Sequence, residues 1–412
     1  MSVRLQWRIA AGLACALAAA GLPGPSRADG FDQLLSALGD SAPIVNLRLR
    51  SETVDQDGLA DRAEALTLRG RLGLRTGMAW STSLLAEADL MAPLVDDYNS
   101  TINRLAQYPV IADPENYALD RLQLANTSLP GTTLIVGRQR INLDDQRFVG
   151  SVDFRQNEQT FDAVRVINRS IPRLTVDLTW LDRVNRIFTR RSPVGRFTGN
   201  SYLADVSYDT PFGRIAAFGY LLAFNQAHAD STRSVGVRLA GHRPLGGLVL
   251  NYMGSYADQR PYADNALHFD NHYYAAEVTA TYSRLTAGAG VEVLGGNGVK
   301  GFSTPLATLH KYNGWADEFL TTPVNGLQDR YATATWSLNR LGPLDVLSAT
   351  AAYHGFRSDR LDIAYGTEED VMLLGKWRRF TGMLALARYS RDRLAASARK
   401  AWVELDYVLD DE

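Results

Sequence analysis

The chain has 412 residues, with 43 basic against 45 acidic side chains and a formal net charge of −2. This balance argues against a nucleic-acid-binding protein, because such proteins carry a clear excess of cations. The single cysteine, Cys15, excludes a disulfide framework and a cysteine-ligated metal site.

Residues 1–28 are predicted to be an export signal. Arg4 and Arg8 form its positive start, residues 9–22 form an apolar run, and residues 26–28 (Ser-Arg-Ala) fit a small-x-small cleavage site. Residues 29–412 show no linker, low-complexity tract or shift in composition, so they are predicted to form one domain. A short periplasmic helix is expected at residues 31–38, before the first strand.

Apolar and polar residues alternate with a period of two along almost all of the remaining chain, which is the pattern of β-strands with one apolar and one polar face. We predict eighteen strands, with sixteen as the alternative count. They are expected near residues 44–54, 64–76, 80–91, 117–127, 132–141, 159–168, 173–184, 200–209, 212–224, 232–242, 246–258, 272–283, 285–295, 329–340, 345–356, 370–378, 382–391 and 397–409.

The connections between these strands alternate between short turns and long loops. The long loops are expected at residues 92–116, 142–158, 185–199, 259–271 and 296–328. Short turns on one side and long loops on the other are typical of outer-membrane barrels. The predicted fold class is therefore all-β, a transmembrane antiparallel β-barrel in the outer membrane of a Gram-negative cell. The competing interpretation, a soluble sandwich or propeller, would lack this alternation.

Assigning the polar face of each strand to the bore predicts a basic wall and an acidic wall. The predicted basic residues are Arg48, Arg50, Arg69, Arg71, Arg75, Arg121, Arg138, Arg140, Lys376 and Arg378. The predicted acidic residues are Asp177, Asp205, Glu277 and Glu292. Opposed walls would set a transverse field that orients charged solutes and favours anions. The alternative is that these charges form ion pairs that brace adjacent strands.

The long connection at residues 296–328 carries several large apolar side chains, such as Phe302, Leu306 and Phe319. These side chains are unfavourable in water, so we predict that the loop folds back into the barrel mouth and narrows it. The residues expected at this constriction are Lys311, Trp315, Asp317 and Glu318. The alternative is a cap packed on neighbouring loops above the rim.

No arrangement of residues points clearly to catalysis or to a metal or other cofactor, so neither enzymatic activity nor a cofactor is predicted. His268 and His272 are the only close histidines, and they fall in a probable loop. A barrel hydrolase using His354 beside Ser348 or Ser358 is the enzymatic alternative.

Four stretches resemble the alginate-export family of outer-membrane porins. They are N-L-R-L-R-S-E-T-V-D-Q-D-G at residues 46–58, G-R-Q-R-I-N-L-D-D-Q-R-F-V-G at 137–150, N-E-Q-T-F-D-A-V-R at 157–165, and T-P-L-A-T-L-H-K-Y-N-G-W-A-D-E-F-L-T-T-P-V-N-G-L-Q-D at 304–329. The resemblance implies an eighteen-stranded barrel with an arginine-lined pore for a polyuronate.

Together these observations predict a monomeric outer-membrane porin that passes anionic solutes passively, with an acidic polysaccharide or oligosaccharide implied by the resemblance. The expected partners are membrane lipid and an anionic saccharide or other small anionic solute, with periplasmic proteins as further candidates. Two alternatives stay open: a general or nutrient-uptake porin without polyuronate specificity, and a structural barrel with a blocked lumen.

Overall fold

A computed structural model describes residues 27–410 of the chain. The predicted signal peptide, residues 1–28, lies outside the described residues except for Arg27 and Ala28. These two residues begin helix α1 (Arg27–Gly39), which contains the helix predicted at residues 31–38. The helix contacts the turn at residues 76–81, where Gly77 N–H donates to the Ala37 carbonyl at 2.8 Å.

The described residues form eighteen strands. Their bounds are β1 (Ala42–Gln56), β2 (Ala63–Arg75), β3 (Thr82–Asp97), β4 (Asn116–Asn126), β5 (Thr132–Gln139), β6 (Thr160–Asn168), β7 (Leu174–Asn185), β8 (Arg196–Thr210), β9 (Gly213–Leu221), β10 (Thr232–Leu245), β11 (Leu248–Pro261), β12 (Asn271–Tyr282), β13 (Leu285–Leu294), β14 (Leu327–Leu341), β15 (Leu344–Arg357), β16 (Ala364–Trp377), β17 (Phe380–Arg391) and β18 (Ala398–Asp410). The predicted count of eighteen is confirmed. The largest boundary differences are at β3, which ends later than predicted, and β16, which starts earlier.

The sheet is antiparallel and closed, because β18 pairs with β1 along most of its length. Closure leaves no unpaired edge strand, which a bilayer requires because it offers no water to satisfy free backbone groups. Side chains alternate between the bore and the outer surface, so each strand has one face in each environment. No helix within residues 27–410 has the length and apolarity needed to cross a bilayer.

The outer face of the barrel is a belt of exposed apolar side chains. Leu68 and Leu72 on β2 and Val403 and Leu405 on β18 are each between 44% and 54% exposed. Such a surface is unfavourable in water and matches the lipid-facing band of an outer-membrane barrel. The chain is therefore an integral protein of the Gram-negative outer membrane, as predicted, with its long loops on the extracellular side.

The buried core lies inside the barrel and not between two sheets. Phe302 and Leu306, both fully buried, come from the loop between β13 and β14, and they pack with inward-facing residues such as Phe161 and Tyr273. Loop residues thus supply the apolar contacts that a narrow lumen cannot obtain from its own polar wall.

Candidate pore and its constriction

Four of the predicted pore arginines lie on the inner faces of β1 and β2: Arg48, Arg50, Arg69 and Arg71. Each has an acid or an amide close by. Arg48 Nε donates to Asp406 at 2.8 Å, and Arg50 Nε donates to Glu404 at 2.6 Å. These acids belong to β18, which becomes the neighbour of β1 only through barrel closure.

The other two arginines of this group are also engaged. Arg71 lies 2.9 Å from a carboxylate oxygen of Glu158, and Arg69 donates to Asn46. Arg69 is 3.9 Å from Asp406. Their positive charge is therefore largely balanced at the wall, as in the alternative of ion pairs that brace adjacent strands.

Arginine–carboxylate ion pairs also occur at Arg121 on β4 and at Arg140, which directly follows β5. Arg121 donates to both oxygens of Glu87 at 2.9 and 2.8 Å, and Arg140 donates to Glu158 at 2.8 Å. Arg75 faces the bore near the periplasmic end of β2 and is half-buried. Lys376 faces the bore at the periplasmic end of β16 and is exposed.

Two predicted pore residues do not face the bore. Arg138 shares its strand face with Leu134 and Val136 and is opposite Leu122, whose side chain is exposed on the lipid face. Arg378 lies in the two-residue turn after β16, in a left-handed conformation with φ 52°, and its guanidinium stands over the Trp377 ring. The prediction that these two residues line the bore was wrong. Arg138 lies on the apolar face of its strand, because alternate residues share a face, and Arg378 lies in a turn and not in a strand.

The predicted acids Asp177, Asp205, Glu277 and Glu292 all lie on inner faces of β7, β8, β12 and β13. Three further buried acids extend this wall and were missed: Asp329, Glu368 and Asp370. Glu368 was missed because the predicted start of the sixteenth strand was residue 370, whereas the strand begins at Ala364. Its position two residues before Asp370 was the available signal, since alternation puts both on one face.

Inner loop A, the connection at residues 140–159 between β5 and β6, folds against the bore, which the sequence analysis did not predict. The Phe154 carbonyl accepts hydrogen bonds from Arg48 at 3.0 Å and from Arg50 at 2.5 Å. The Arg50 guanidinium also stands over the Phe154 ring, 4.3 Å from its centroid. Apolar loop residues such as Phe148 were the available signal.

Inner loop B, the connection at residues 295–326 between β13 and β14, contacts inward-facing side chains of several strands. Asn313 donates to Glu292 at 2.7 Å, and Ala316 N–H donates to Glu368 at 2.6 Å. Asp317 lies 3.6 Å from the ammonium of Lys400 on β18. The loop therefore reaches across the bore from β13 to β18.

The two inner loops are bonded to each other. Gly150 N–H donates to the Leu306 carbonyl at 2.8 Å, and Arg155 of loop A donates to Asp317 of loop B at 2.7 Å. The ring of Phe154 stacks on His310 with centroids 3.5 Å apart. The loops therefore form one unit within the barrel, bound to the wall by ion pairs and to each other by backbone, ionic and ring contacts.

The four residues predicted for the constriction have different surroundings. Lys311 is exposed and donates to the Asp145 carbonyl at 2.8 Å, and Trp315 is half-buried against the interior core. The side chain of Asp317 is buried, with His310 at 2.9 Å as well as the Arg155 contact. Glu318 is half-buried and lines the same cavity as Asp317.

The pKa values of the two acids at this loop contact are shifted in opposite directions. Burial by itself would raise the pKa of the Asp317 carboxyl, but His310, Lys400 and Arg155 together hold that pKa well below its usual range. Burial raises the pKa of Glu318 to about 7, only partly opposed by Lys400. Asp317 is thus ionised at any physiological pH, whereas Glu318 titrates near neutrality.

The extracellular mouth contains two adjoining cavities of about 430 and 310 Å³. Arg186, in the loop after β7, lines both. Its guanidinium lies 4.8 Å from the Phe188 ring centroid and 4.3 Å from that of Phe197, and it donates to the Val194 carbonyl. Burial lowers its pKa to about 10. Among the described residues no carboxylate forms an ion pair with it, which distinguishes it from the wall arginines.

Two groups of acids and histidine are close enough to hold a metal ion. Glu87, Asp120 and Glu158 are buried beside the bore, and Asp258, Asp270 and His272 lie near the extracellular ends of β11 and β12. Arginines already occupy both groups, with Arg121 on Glu87 and Arg260 3.0 Å from Asp270. His354 contacts Asp329 at 3.0 Å and, among the described residues, no serine hydroxyl, so the postulated serine–histidine pair is not formed.

A closed eighteen-stranded barrel with an apolar belt, a charged bore and inward-folded loops defines the protein as a porin-like outer-membrane barrel. No protein-family model matches the chain, and no curated protein matches it in sequence. Solved structures of Pseudomonas aeruginosa do match in fold. OpdO has 16% identity over 91% of this chain and 99% of that chain, with a TM-score of 0.71.

Two more of these structures are OccK9 (OpdG) and OpdK with vanillate. OccK9 has 18% identity over 91% of this chain and 99% of its own, with a TM-score of 0.71. OpdK has 14% identity, 90% and 99% coverage, and a TM-score of 0.67. The fold is thus similar to the Opd (Occ) group of outer-membrane proteins. The resemblance to the alginate-export family was wrong, because the matching structures belong to this different group.

Proposed function

We propose that the protein is a passive uptake channel for small, nutrient-sized solutes. The observation that carries this proposal is the size of the mouth: the two inner loops leave cavities of about 430 and 310 Å³, within the range of small-molecule sites. Arginines paired with wall acids supply little net field, so a broad preference for anions is not part of the proposal.

We further infer that the preferred solutes carry one carboxylate on an apolar body. Arg186 supports this because its planar guanidinium lacks a protein carboxylate and is flanked by two phenylalanine rings. A guanidinium binds a carboxylate through two parallel hydrogen bonds, and its aromatic neighbours favour an apolar group beside it. The structure of OpdK names vanillate, an aromatic carboxylate, as its ligand.

The test is solute flux into proteoliposomes containing the full-length protein. Vanillate should enter faster than its uncharged counterpart vanillyl alcohol, and Arg186→Gln should remove most of that difference. Arg357→Gln is the matched control, because Arg357 faces outward and pairs with Asp362. Equal rates for both solutes in the parent protein would refute the carboxylate preference while leaving the channel function intact.

The alternative of a structural barrel with a blocked lumen is supported by how much of the bore the inner loops occupy. Phe302 and Leu306 are fully buried there, and loop B contacts side chains of three strands, β13, β16 and β18. Conductance in a planar bilayer separates the two functions. A protein that inserts and shows no channel current at any voltage would be a structural barrel.

A further inference from the structure

Arg138 is one of several arginines on the outer face of the barrel at the extracellular ends of β5 to β8. Alternation fixes this orientation: Phe161 and Phe197 are buried inside, so their strand neighbours Asp162 and Arg196 point outward. Arg183 is opposite Asp162 in the β6–β7 register and shares its face. We call Arg138, Arg183 and Arg196, together with Arg190 in the loop between β7 and β8, the outer arginine cluster.

The cluster lies immediately beyond the apolar belt. One row of cross-strand partners contains Val136, Val164, Trp180 and Tyr202. The next row toward the extracellular side contains Arg138, Asp162 and Arg183. Tryptophan and tyrosine are enriched where a membrane meets water, so the row above them is at the height of the lipid headgroups.

The cluster carries more positive charge than its surroundings balance. Arg138 donates to Asp162 at 2.6 and 3.1 Å, and Arg183 lies 3.2 Å from the same carboxylate. Asp182 is the second acid beside Arg183. Four arginines therefore face two aspartates.

Arg196 is a member of the cluster without a protein partner among the described residues. Within the part of the chain that the structure describes, its guanidinium makes no ion pair and no hydrogen bond, and it is exposed. The largest electrostatic influences on it come from three other arginines, Arg138, Arg183 and Arg190, and from Asp162. Arginines gathered this closely repel one another unless an anion lies between them.

We propose that the outer arginine cluster binds the phosphate groups of outer-leaflet glycolipid, the bisphosphorylated lipid A that faces the barrel at this height. The guanidinium fork matches a phosphate bidentately, and Arg183 and Arg196 lie in adjacent strands that can hold one phosphate between them. Trp180 and Tyr202 below them would contact the sugar and the start of the acyl chains. The site is independent of the proposed transport function.

The experiment measures the affinity of the detergent-purified, full-length protein for lipid A by calorimetric titration. The probe variant is Arg183→Gln/Arg196→Gln, which leaves Arg138 and its hydrogen bond to the Leu119 carbonyl in place. The matched control is Arg243→Gln/Arg284→Gln, which removes two arginines at the periplasmic end of the barrel. Heat-modifiable migration on gels verifies that each variant is folded, and Arg196→Gln alone replaces the double variant if that fails to assemble.

We expect the double variant to bind lipid A at least about tenfold more weakly, since charge-assisted hydrogen bonds are lost. The control should stay within about twofold of the parent, because Arg243 and Arg284 lie at the opposite end of the barrel from the outer arginine cluster and do not contribute to it. Lipid A stripped of its phosphates should bind the parent as weakly as intact lipid A binds the double variant. Equal binding of the stripped lipid, an equal loss in the control, or full displacement by inorganic phosphate would each overturn the proposal.

Discussion

Replacing Asp317 by asparagine removes the charge that holds inner loop B to loop A and to the wall. The carboxylate accepts from Arg155 at 2.7 Å and contacts His310 at 2.9 Å, and it lies 3.6 Å from the Lys400 ammonium. The low pKa of Asp317 means that it is fully ionised near neutral pH, so the substitution removes a whole charge. Asparagine keeps the size of the side chain, so the packing of the loop is otherwise preserved.

The expected magnitude follows from the burial of the group. Removing one partner of a buried ion pair costs about 3–5 kcal/mol, because the other charge stays buried and uncompensated. Arg155 keeps its contact with Glu52 at 3.1 Å, so the lower end of that range applies. A change of about 3 kcal/mol shifts the ratio of docked to released loop by about 150-fold.

Single-channel recording in planar bilayers measures this shift directly. The parent protein should stay at one conductance level, and Asp317→Asn should spend a measurable fraction of time at a higher level, when loop B leaves the bore. Asp362→Asn is the control: Asp362 pairs with Arg357 at 2.6 Å but is 79% exposed, so its removal costs little.

Conductance levels and dwell times equal to those of the parent in a normally folded Asp317→Asn variant would refute the expected release of loop B. In that case the ionic contacts of Asp317 would not be what holds loop B in place. A lowered conductance would also contradict the argument, since release of a loop that occupies the bore can only widen it.

The remaining predictions concern the same loop. Gly314→Ala should undock loop B, because Gly314 has φ 83° and an added Cβ would lie 2.4 Å from a wall carboxylate. Gly58→Ala is the control, since Gly58 has a similar φ of 88° but open space around the added Cβ, so this variant has the backbone strain without the clash. Tryptic cleavage at Lys311 should become faster in Gly314→Ala only. Raising the pH from about 6 to 8 should ionise Glu318, whose pKa is about 7. The added negative charge should shift the reversal potential toward cation selectivity, and Glu318→Gln should abolish this pH dependence. Deleting residues 305–321 should raise single-channel conductance several-fold if the barrel still assembles; unchanged conductance would show that loop B is not the constriction.

The eighteen-stranded barrel could be predicted from the alternation pattern of the chain. A strand between lipid and a wet bore must alternate, so the two-residue period marked eighteen strands and assigned the inner face of β1, β2 and most other strands. Arg48, Arg50, Arg69 and Arg71 lie on the inner face of β1 and β2 in the fold. The same rule was misapplied to Arg138, which shares a face with Leu134 and Val136 and therefore lies on the apolar face of β5.

The partners of the charged side chains depend on the folded barrel and could not be predicted from the local pattern. Glu404 is hundreds of residues from Arg50 in the chain and becomes its partner through the closure of β18 on β1, and Glu158 reaches Arg71 only because loop A folds inward. A local pattern gives the face on which each side chain lies but not which distant residue becomes its neighbour in the fold. The arginine wall therefore looked like a free positive surface in the sequence and is largely neutralised in the fold, since ion pairing depends on distances that closure and loop docking create.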